Sequence, residues 1–134
     1  MAAEYDFSQI IGIELSKDMH DQCAQNIQGF KMTRQKCHAI SSRNENALDF
    51  VLPDENIALF MFNPFSEAIL APFLDRLKRH QETTGKKTVI MYYYPKHQSL
   101  IYQDDRYRVL PYLEPLLHIS ISYRWPVSMF ETVG

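Results

Sequence analysis

One short apolar run near the start of the chain constrains its fold more than any other segment. Ile10 to Ile13 is followed at once by the carboxylate of Glu14, and Ser16 then offers an N-cap for a helix. A continuous apolar strand that leads directly into a helix is typical of the buried parallel strands of α/β proteins. Only eight residues precede Gln9, so we expect no further strand before this one.

An acidic residue at the end of such a strand has a specific use in nucleotide-binding α/β folds. Its carboxylate accepts hydrogen bonds from the hydroxyls of a ribose, while a glycine-rich loop before that strand holds the rest of the cofactor. Here the four glycines are Gly12, Gly29, Gly85 and Gly134. No two of them are close enough to form such a loop, so the sequence has Glu14 but lacks the glycine-rich loop that usually accompanies it.

Composition is that of an ordinary globular protein. A chain of 134 residues with 46% hydrophobic and 22% charged residues predicts a single domain over 1–134. The net charge of −2 argues against a dedicated nucleic-acid binder. No run is apolar enough to span a membrane, and the first residues lack the basic and apolar regions of a signal peptide, so we expect none. Cys23 and Cys37 lack disulfide or metal spacing, so we expect no metal site, reduced thiols and a cytoplasmic protein.

Strands and helices alternate through the first two thirds of the sequence. After the first strand we predict a helix from Ser16 to about Asn26, and a second helix from Ser66 that Pro72 should kink or divide. The predicted strands after the first cover 36–40, 57–62 and 88–93. The run 57–62 shows no polar alternation, which predicts burial on both faces. Residues 43–45 are a predicted loop, and 47–52 a candidate helical turn.

The pattern changes in the last third. Segments 116–123 and 127–133 are predicted strands joined through Arg124, Trp125 and Pro126, as an antiparallel hairpin at a sheet edge. Residues 97–115 are predicted to be irregular or weakly helical. The whole order predicts a mostly parallel sheet that ends in this hairpin.

Three of these features occur in the order seen in one known family. Residues 10–16 resemble the second strand and acidic tip of the class I S-adenosylmethionine-dependent methyltransferases. Residues 59–65 resemble the family's fourth strand with its Asn-Pro-aromatic loop, and the terminal hairpin is similar to its sixth and seventh strands. The resemblance covers nearly the whole chain. It implies an α/β fold, a Rossmann-like mostly parallel sheet with a C-terminal antiparallel hairpin, truncated at its N-terminus.

The resemblance implies S-adenosyl-L-methionine as cofactor and assigns residues to it. Glu14, with Leu15 beside it, would accept hydrogen bonds from both ribose hydroxyls. Asn46, followed by Ala47, matches the family position that contacts the adenine amino group, and its amide oxygen is able to accept from that amine. Asp49 competes with Asn46 for this role.

The same resemblance assigns the catalytic loop to Asn63, Pro64 and Phe65, and it also counts Asn63 among the cofactor-binding residues. Asn63 would orient the methyl acceptor next to the cofactor, and Phe65 would stack on a planar acceptor or on adenine. Methyltransferases that act on amines carry a second proline before the aromatic residue, which this loop lacks. The difference argues against base methylation of nucleic acid and leaves open whether the acceptor is a small molecule, a protein or RNA. Tyr92 to Tyr94 could line an acceptor pocket or serve as ordinary core and surface residues.

The first strand of the family, with its glycine-rich loop, has no counterpart here. In the family sheet that strand lies between the second and fourth strands, so its absence leaves two strand edges without partners. The missing strand could lie upstream in a longer protein, the sheet could close up, or a partner chain or second copy could fill the place in a homodimer. For the chain itself we expect a closed-up or oligomer-stabilised sheet.

Three functions are compatible with these features. The first is a methyltransferase-like domain, which we expect to bind its cofactor weakly and to show weak or no activity as this chain. The second is a non-catalytic protein-interaction module on a methyltransferase-derived scaffold, favoured by any apolar strip that the absent strand exposes. The third is a fragment of an NAD-dependent oxidoreductase, against which the Asn-Pro-Phe loop and the final hairpin argue.

Overall fold

The computed structural model describes residues 2–111 and 127–134, which form two compact units, Met1–Val51 and Leu52–Gly134. Each unit contains its own sheet, and the two sheets differ in kind. The first has two parallel strands, and the second has four strands of mixed direction. The chain is therefore a mixed α/β protein, as its alternating apolar runs predict.

The first unit is a parallel strand pair with one long helix. In chain order its elements are a 3-10 helix Ala2–Glu4, β1 Ile10–Glu14, α1 Lys17–Gly29 and β2 Ile40–Asn44. Ser16 occupies the N-cap of α1, and its hydroxyl accepts the Met19 N–H at 3.5 Å. His20 Nδ1 lies 2.8 Å from Ser42 Oγ, which ties the helix to β2.

The second unit is a four-stranded sheet with a long helix. Its elements are β3 Ile57–Phe62, α2 Glu67–Thr84, β4 Thr88–Tyr93, α3 Ser99–Tyr102, β5 Tyr107–Val109 and β6 Val127–Thr132. The strand order is β3-β4-β6-β5. β3 runs parallel to β4, whereas β6 is antiparallel to both of its neighbours. The sheet therefore ends in antiparallel strands, but its edge is β5, and β6 lies between β4 and β5 instead of at the edge as predicted.

The core of this unit lies between α2 and one face of the sheet. The hydroxyl of Tyr107 donates to the Leu74 carbonyl at 2.6 Å across this core, and burial raises the pKa of that tyrosine. Gly85 ends α2 with a φ of 73°, a conformation that favours glycine. The fully or nearly fully buried apolar side chains include Leu70, Leu74, Leu77, Ile90, Tyr92, Ile101 and Phe130.

Several predicted elements are confirmed and others are displaced. The strands predicted at 57–62 and 88–93 have those bounds, and α1 begins directly after Ser16. The strand predicted at 36–40 is instead β2 at Ile40–Asn44, which takes up part of the predicted loop at 43–45. Pro72 lies inside α2 without dividing it. Residues 97–115 include the short α3 and β5, and the strand predicted at 116–123 lies outside the described residues.

The prediction that β3 is buried on both faces is wrong. Its burial alternates along the strand: Met61 is buried, whereas Phe60 and Phe62 are 63% and 56% exposed. Met61 faces the core under α2, whereas Phe60 and Phe62 lie on the other face, where their rings contact those of Tyr93 and Tyr94. An apolar run without alternation therefore marks, in this strand, one covered and one open face.

The closed-up sheet is not formed by the described strands. β1 pairs with β2, β3 pairs with β4, and β1 and β3 belong to different sheets. Each of these two apolar strands keeps one edge without a described partner.

An ion-pair cluster joins α2 to the turn before β5. Arg106 Nε donates to Asp104 Oδ1 at 2.7 Å, and Arg106 Nη2 donates to Asp75 Oδ1 at 2.7 Å. The hydrogen bond from Arg106 lowers the pKa of Asp104 despite partial burial, and Asp75 shares the same guanidinium. The ionised carboxylate of Asp104 is thus favoured in the folded state.

We expect Asp104→Asn to lower the free energy of unfolding at pH 7 by about 1 kcal/mol, since a partly buried charge-assisted bond is lost. Because the folded-state pKa of Asp104 is lowered, its contribution is present above the unfolded pKa and is lost as the pH falls below it. The difference between variant and parent should therefore shrink in urea unfolding curves recorded from pH 7 down to pH 3. Asp105→Asn, at an exposed neighbouring position, is the matched control and should leave the curves unchanged.

Candidate functional site

In the first unit, the predicted cofactor residues lie where two parallel strands end together. Glu14 is the last residue of β1, and Asn44, the last residue of β2, is its register partner. The carboxylate Oε1 of Glu14 accepts the Ser16 N–H at 2.8 Å. Leu15 follows with 73% of its side chain exposed. The strand end therefore presents a carboxylate held against the start of α1.

Asn44 is a residue of this site that the sequence reasoning missed. Its side-chain Nδ2 donates to the carbonyl of Glu14 at 2.9 Å and to that of Leu15 at 3.0 Å. One side-chain amide thus holds two consecutive backbone carbonyls, those of Glu14 and Leu15. The signal for it in the sequence is a polar residue at the end of a strand, and this depends on the bounds of β2.

Asn46 and Ala47 lie in a tight turn after β2. Asn46 Oδ1 accepts the Leu48 N–H at 3.0 Å, and the Asn46 carbonyl accepts the N–H groups of Asp49 and Phe50 at 2.9 and 3.1 Å. This is an Asx turn, a common local use of asparagine. The amide oxygen keeps a second lone pair, so it is still able to accept from an amine.

In the second unit, Asn63 directly follows β3 and has a left-handed conformation with a φ of 41°. Residues other than glycine rarely adopt this backbone conformation, and asparagine tolerates it better than most of them. Its Oδ1 accepts the hydroxyl of Tyr92 at 3.1 Å. Tyr92 is fully buried in β4, and burial raises its pKa. A buried neutral hydroxyl therefore holds the side chain of a strained loop residue.

Two more polar residues, His97 and Glu67, lie near the pair formed by Asn63 and Tyr92. The backbone of His97 near Tyr92 opposes the rise that burial causes in the pKa of Tyr92. His97 Nδ1 lies 3.3 Å from Glu67 Oε1 in the first turn of α2. Sequence reasoning singled out neither His97 nor Glu67, which are thirty positions apart and meet only in the fold.

The other two residues of the predicted catalytic loop have different surroundings. Pro64 is exposed. Phe65 is half-buried, and its ring centroid is 5.1 Å from that of Phe73 on α2 at an interplanar angle of 54°. This contact anchors the loop to the helix that follows it. Ser66 is the N-cap residue of α2 as predicted, although its side chain makes no cap hydrogen bond.

Two other kinds of feature are not found in the part of the chain that the structure describes. Within residues 2–111 and 127–134, no group of three or more His, Cys, Asp or Glu side chains could hold a metal ion. No helix in these ranges is both long and apolar enough to cross a membrane.

The chain matches no protein-family model and no curated protein sequence. Among solved structures, it is similar to the putative methylase HI0767 from Haemophilus influenzae, over 95% of this chain and 74% of that one. The TM-score is 0.53 and the sequence identity is 12%. At this identity the similarity is one of fold alone, and it supports a methylase-like fold for this chain.

Two substitutions at position 63 separate backbone strain from the side-chain bond. Asn63→Ala loses the Tyr92 bond and replaces asparagine by a residue that tolerates the left-handed region less well, so we expect it to lower the free energy of unfolding by about 2 kcal/mol. Asn63→Gly loses the same bond but relieves the strain, so the loss should be about 1 kcal/mol or less. Urea unfolding measures both. Equal losses would show that the left-handed conformation carries no cost.

Proposed function

We propose that residues 1–134 form an S-adenosylmethionine-dependent methyltransferase-like domain. The observation that carries the proposal is the strand arrangement. The sheet orders β2-β1 and β3-β4-β6-β5 correspond to the family sheet without its first strand, and Glu14 and Asn63 end the strands that resemblance assigns to them. The fold similarity to the Haemophilus influenzae protein supports the same assignment.

The residues that end β1 suit the ribose of this cofactor. Glu14 is partly exposed, and its Oε1 accepts one backbone N–H, while the structure shows no described partner for Oε2. A carboxylate of this kind has enough lone pairs to accept from a pair of adjacent hydroxyls. Leu15 would lie against the sugar, and Asn46 with Ala47 would meet the adenine. The Asn44 bonds keep the backbone of Glu14 and Leu15 in place for this role.

The residues for the methionine part of the cofactor do not fit in the same way. Gly12 lies inside β1, Gly29 ends α1 and Gly85 caps α2, so none of them forms a loop beside Glu14. A backbone cradle of closely spaced glycines is thus missing from the described residues. We therefore propose weak cofactor binding and weak or no activity for this chain by itself.

When bound, the cofactor supplies a methyl group on a positively charged sulfur, which is a ready electrophile. The protein's part in such a reaction is to hold the acceptor in line. Asn63 suits this part because its side chain is held by Tyr92 and its backbone by an unusual conformation. Its Oδ1 already accepts one hydrogen bond, which leaves a second lone pair and the Nδ2 group for an acceptor. Phe65, anchored on Phe73, keeps the loop in position.

A second candidate function is a non-catalytic interaction module on the same scaffold. The exposed aromatic face of β3 favours it, since Phe60 and Phe62 are both more than half exposed. Large exposed apolar side chains that lie next to one another are typical of binding surfaces. The two candidates differ in whether the cofactor binds at all.

Calorimetric titration with S-adenosylhomocysteine tests the proposal. We expect weak but measurable binding to the parent chain. Glu14→Ala should weaken it by about 30-fold, since two charge-assisted hydrogen bonds worth ~2 kcal/mol are lost. Glu45→Gln, which removes the neighbouring carboxylate after β2, is the matched control and should bind as the parent does.

Two results would contradict the methyltransferase proposal. The first is the absence of any binding heat up to millimolar ligand, which would favour the interaction module. The second is binding that Glu14→Ala leaves unchanged, which would place the ligand elsewhere on the protein. Binding of NAD in place of S-adenosylhomocysteine would favour the oxidoreductase fragment.

A further inference from the structure

Two strained residues lie side by side at the carboxyl ends of β3 and β4. Phe62 and Tyr93 are register partners at the ends of these parallel strands. Asn63 and Tyr94 come directly after them, and both have left-handed backbones, with φ values of 41° and 51°. In α/β sheets ligands bind at the carboxyl ends of the strands, and strained residues concentrate at functional sites. The paired strain therefore points to this end of the sheet as a functional one.

His97, three residues beyond Tyr94, meets the start of α2 at this end of the sheet. Its ring Nδ1 is 3.3 Å from Oε1 of Glu67, a residue in the first turn of that helix. The backbone of His97 lies near the Tyr92 hydroxyl, which donates to Asn63 Oδ1 at 3.1 Å. His97 therefore belongs to the same cluster of side chains as the candidate catalytic loop.

Hydrogen bonds hold the backbone around His97 in place. The His97 carbonyl accepts the Leu100 N–H at 3.2 Å, which begins the turn into α3. The next residue, Gln98, is tied to β6, because its Oε1 accepts the Ser128 hydroxyl at 2.8 Å. A ring carried by a backbone that is fixed in this way keeps a defined direction, as a group that acts on a ligand must.

The carboxylate of Glu67 decides which nitrogen of the His97 ring carries hydrogen. An ionised carboxylate only accepts hydrogen bonds, so Nδ1 must donate to it. In the neutral ring Nε2 then keeps its lone pair and is the basic nitrogen. Within residues 2–111 and 127–134 Nε2 has no hydrogen-bond partner, and 27% of the side chain is exposed. This is the arrangement of a base whose ring is oriented by a carboxylate.

We propose that His97 Nε2 is the proton acceptor of the candidate site and that Glu67 positions its ring. The inference rests on the proposed function. A methyl acceptor with an O–H or N–H nucleophile exchanges its bond to hydrogen for a bond to carbon, while the electron pair of the methyl–sulfur bond stays on sulfur. The amide of Asn63 is not a base, so it orients the acceptor without taking its proton. Nε2 takes that proton, and the resulting imidazolium is paired with the Glu67 carboxylate.

The proposal narrows the class of methyl acceptor. A base at the site assists an acceptor whose hydroxyl or N–H group must lose a proton. Thioethers and tertiary amines lose no proton when they are methylated, so they would draw no benefit from His97. The acceptor favoured here is therefore a compound with a weakly acidic hydroxyl or N–H group.

Nitrogen NMR of the full chain with isotope-labelled histidine tests the tautomer. At pH 8.5, where histidine is ordinarily neutral, the His97 ring should carry its hydrogen on Nδ1. The His97 signals are those that are missing from the spectrum of His97→Gln. Glu67→Ala should shift the ratio of the two tautomers by about fivefold, the factor that corresponds to one ordinary hydrogen bond. Glu82→Ala, at an exposed position of the same helix, is the control and should leave the ratio unchanged.

A chemical reagent and a small probe test whether Nε2 is available to a ligand. Diethyl pyrocarbonate acylates the unprotonated nitrogen of a neutral imidazole, and peptide mass spectrometry locates the product. His97 should be modified, whereas His80, which is 9% exposed, should be protected. Phenol at millimolar concentration should shift the Nε2 resonance of His97, because its hydroxyl donates to that nitrogen. Anisole, which has no hydroxyl, is the matched control and should not shift it.

Any of four results would overturn the proposal. They are hydrogen on Nε2 in the parent chain, a tautomer ratio that folded Glu67→Ala leaves unchanged, a His97 ring that the reagent does not modify, and an Nε2 resonance that phenol affects no more than anisole does. Three of them concern the parent chain alone, so they decide the matter even where Glu67→Ala fails to fold, which circular dichroism shows. None of the measurements uses the cofactor, so their outcome is separate from that of the S-adenosylhomocysteine titration.

Discussion

Hydrogen bonding along both edges of β4 is the interaction on which the second unit depends. β4 pairs in parallel with β3 and antiparallel with β6, and its side chains Ile90 and Tyr92 are fully buried. The hydrogen bonds of β4 therefore fix which residues of β3 and β6 lie beside each of its own. It also places the Tyr92 hydroxyl beside the end of β3, where it holds Asn63. The candidate catalytic loop owes its position to a strand that forms no part of it.

How far the sequence predicts this fold depends on where each element gets its stability. β3 and β4 are runs of apolar residues bounded by breakers such as Pro64 and Pro95, and their bounds follow from the sequence alone. β2 has the polar sequence ISSRN, and its place is fixed by its register with β1 and by the bond between His20 and Ser42. β5 has three residues and exists as a strand because β6 pairs with it.

In the candidate site, too, some positions could be predicted from the local sequence, whereas others depend on residues that are distant in sequence. Glu14 and Asn63 follow apolar strands, so their positions at strand ends could be predicted. The Asn44 side chain that holds the Glu14 backbone and the hydroxyl that holds Asn63 come from residues about thirty positions away. Burial of β3 failed as a prediction for a related reason. An apolar run shows that a strand can be covered on both faces, but the covering elements are distant in sequence.

β3 combines an edge without a described partner with the start of the candidate catalytic loop. β3 carries the open edge with Phe60 along its length and Asn63 at its end. A strand paired on one side can shift or fray more easily than one paired on both, and any such movement would reach Asn63. Asn63 is bonded to the Tyr92 hydroxyl, which belongs to a strand that is paired on both sides, so this bond limits the movement that β3 would pass to the loop. The rigidity that a positioning residue requires is therefore supplied by β4 and not by β3.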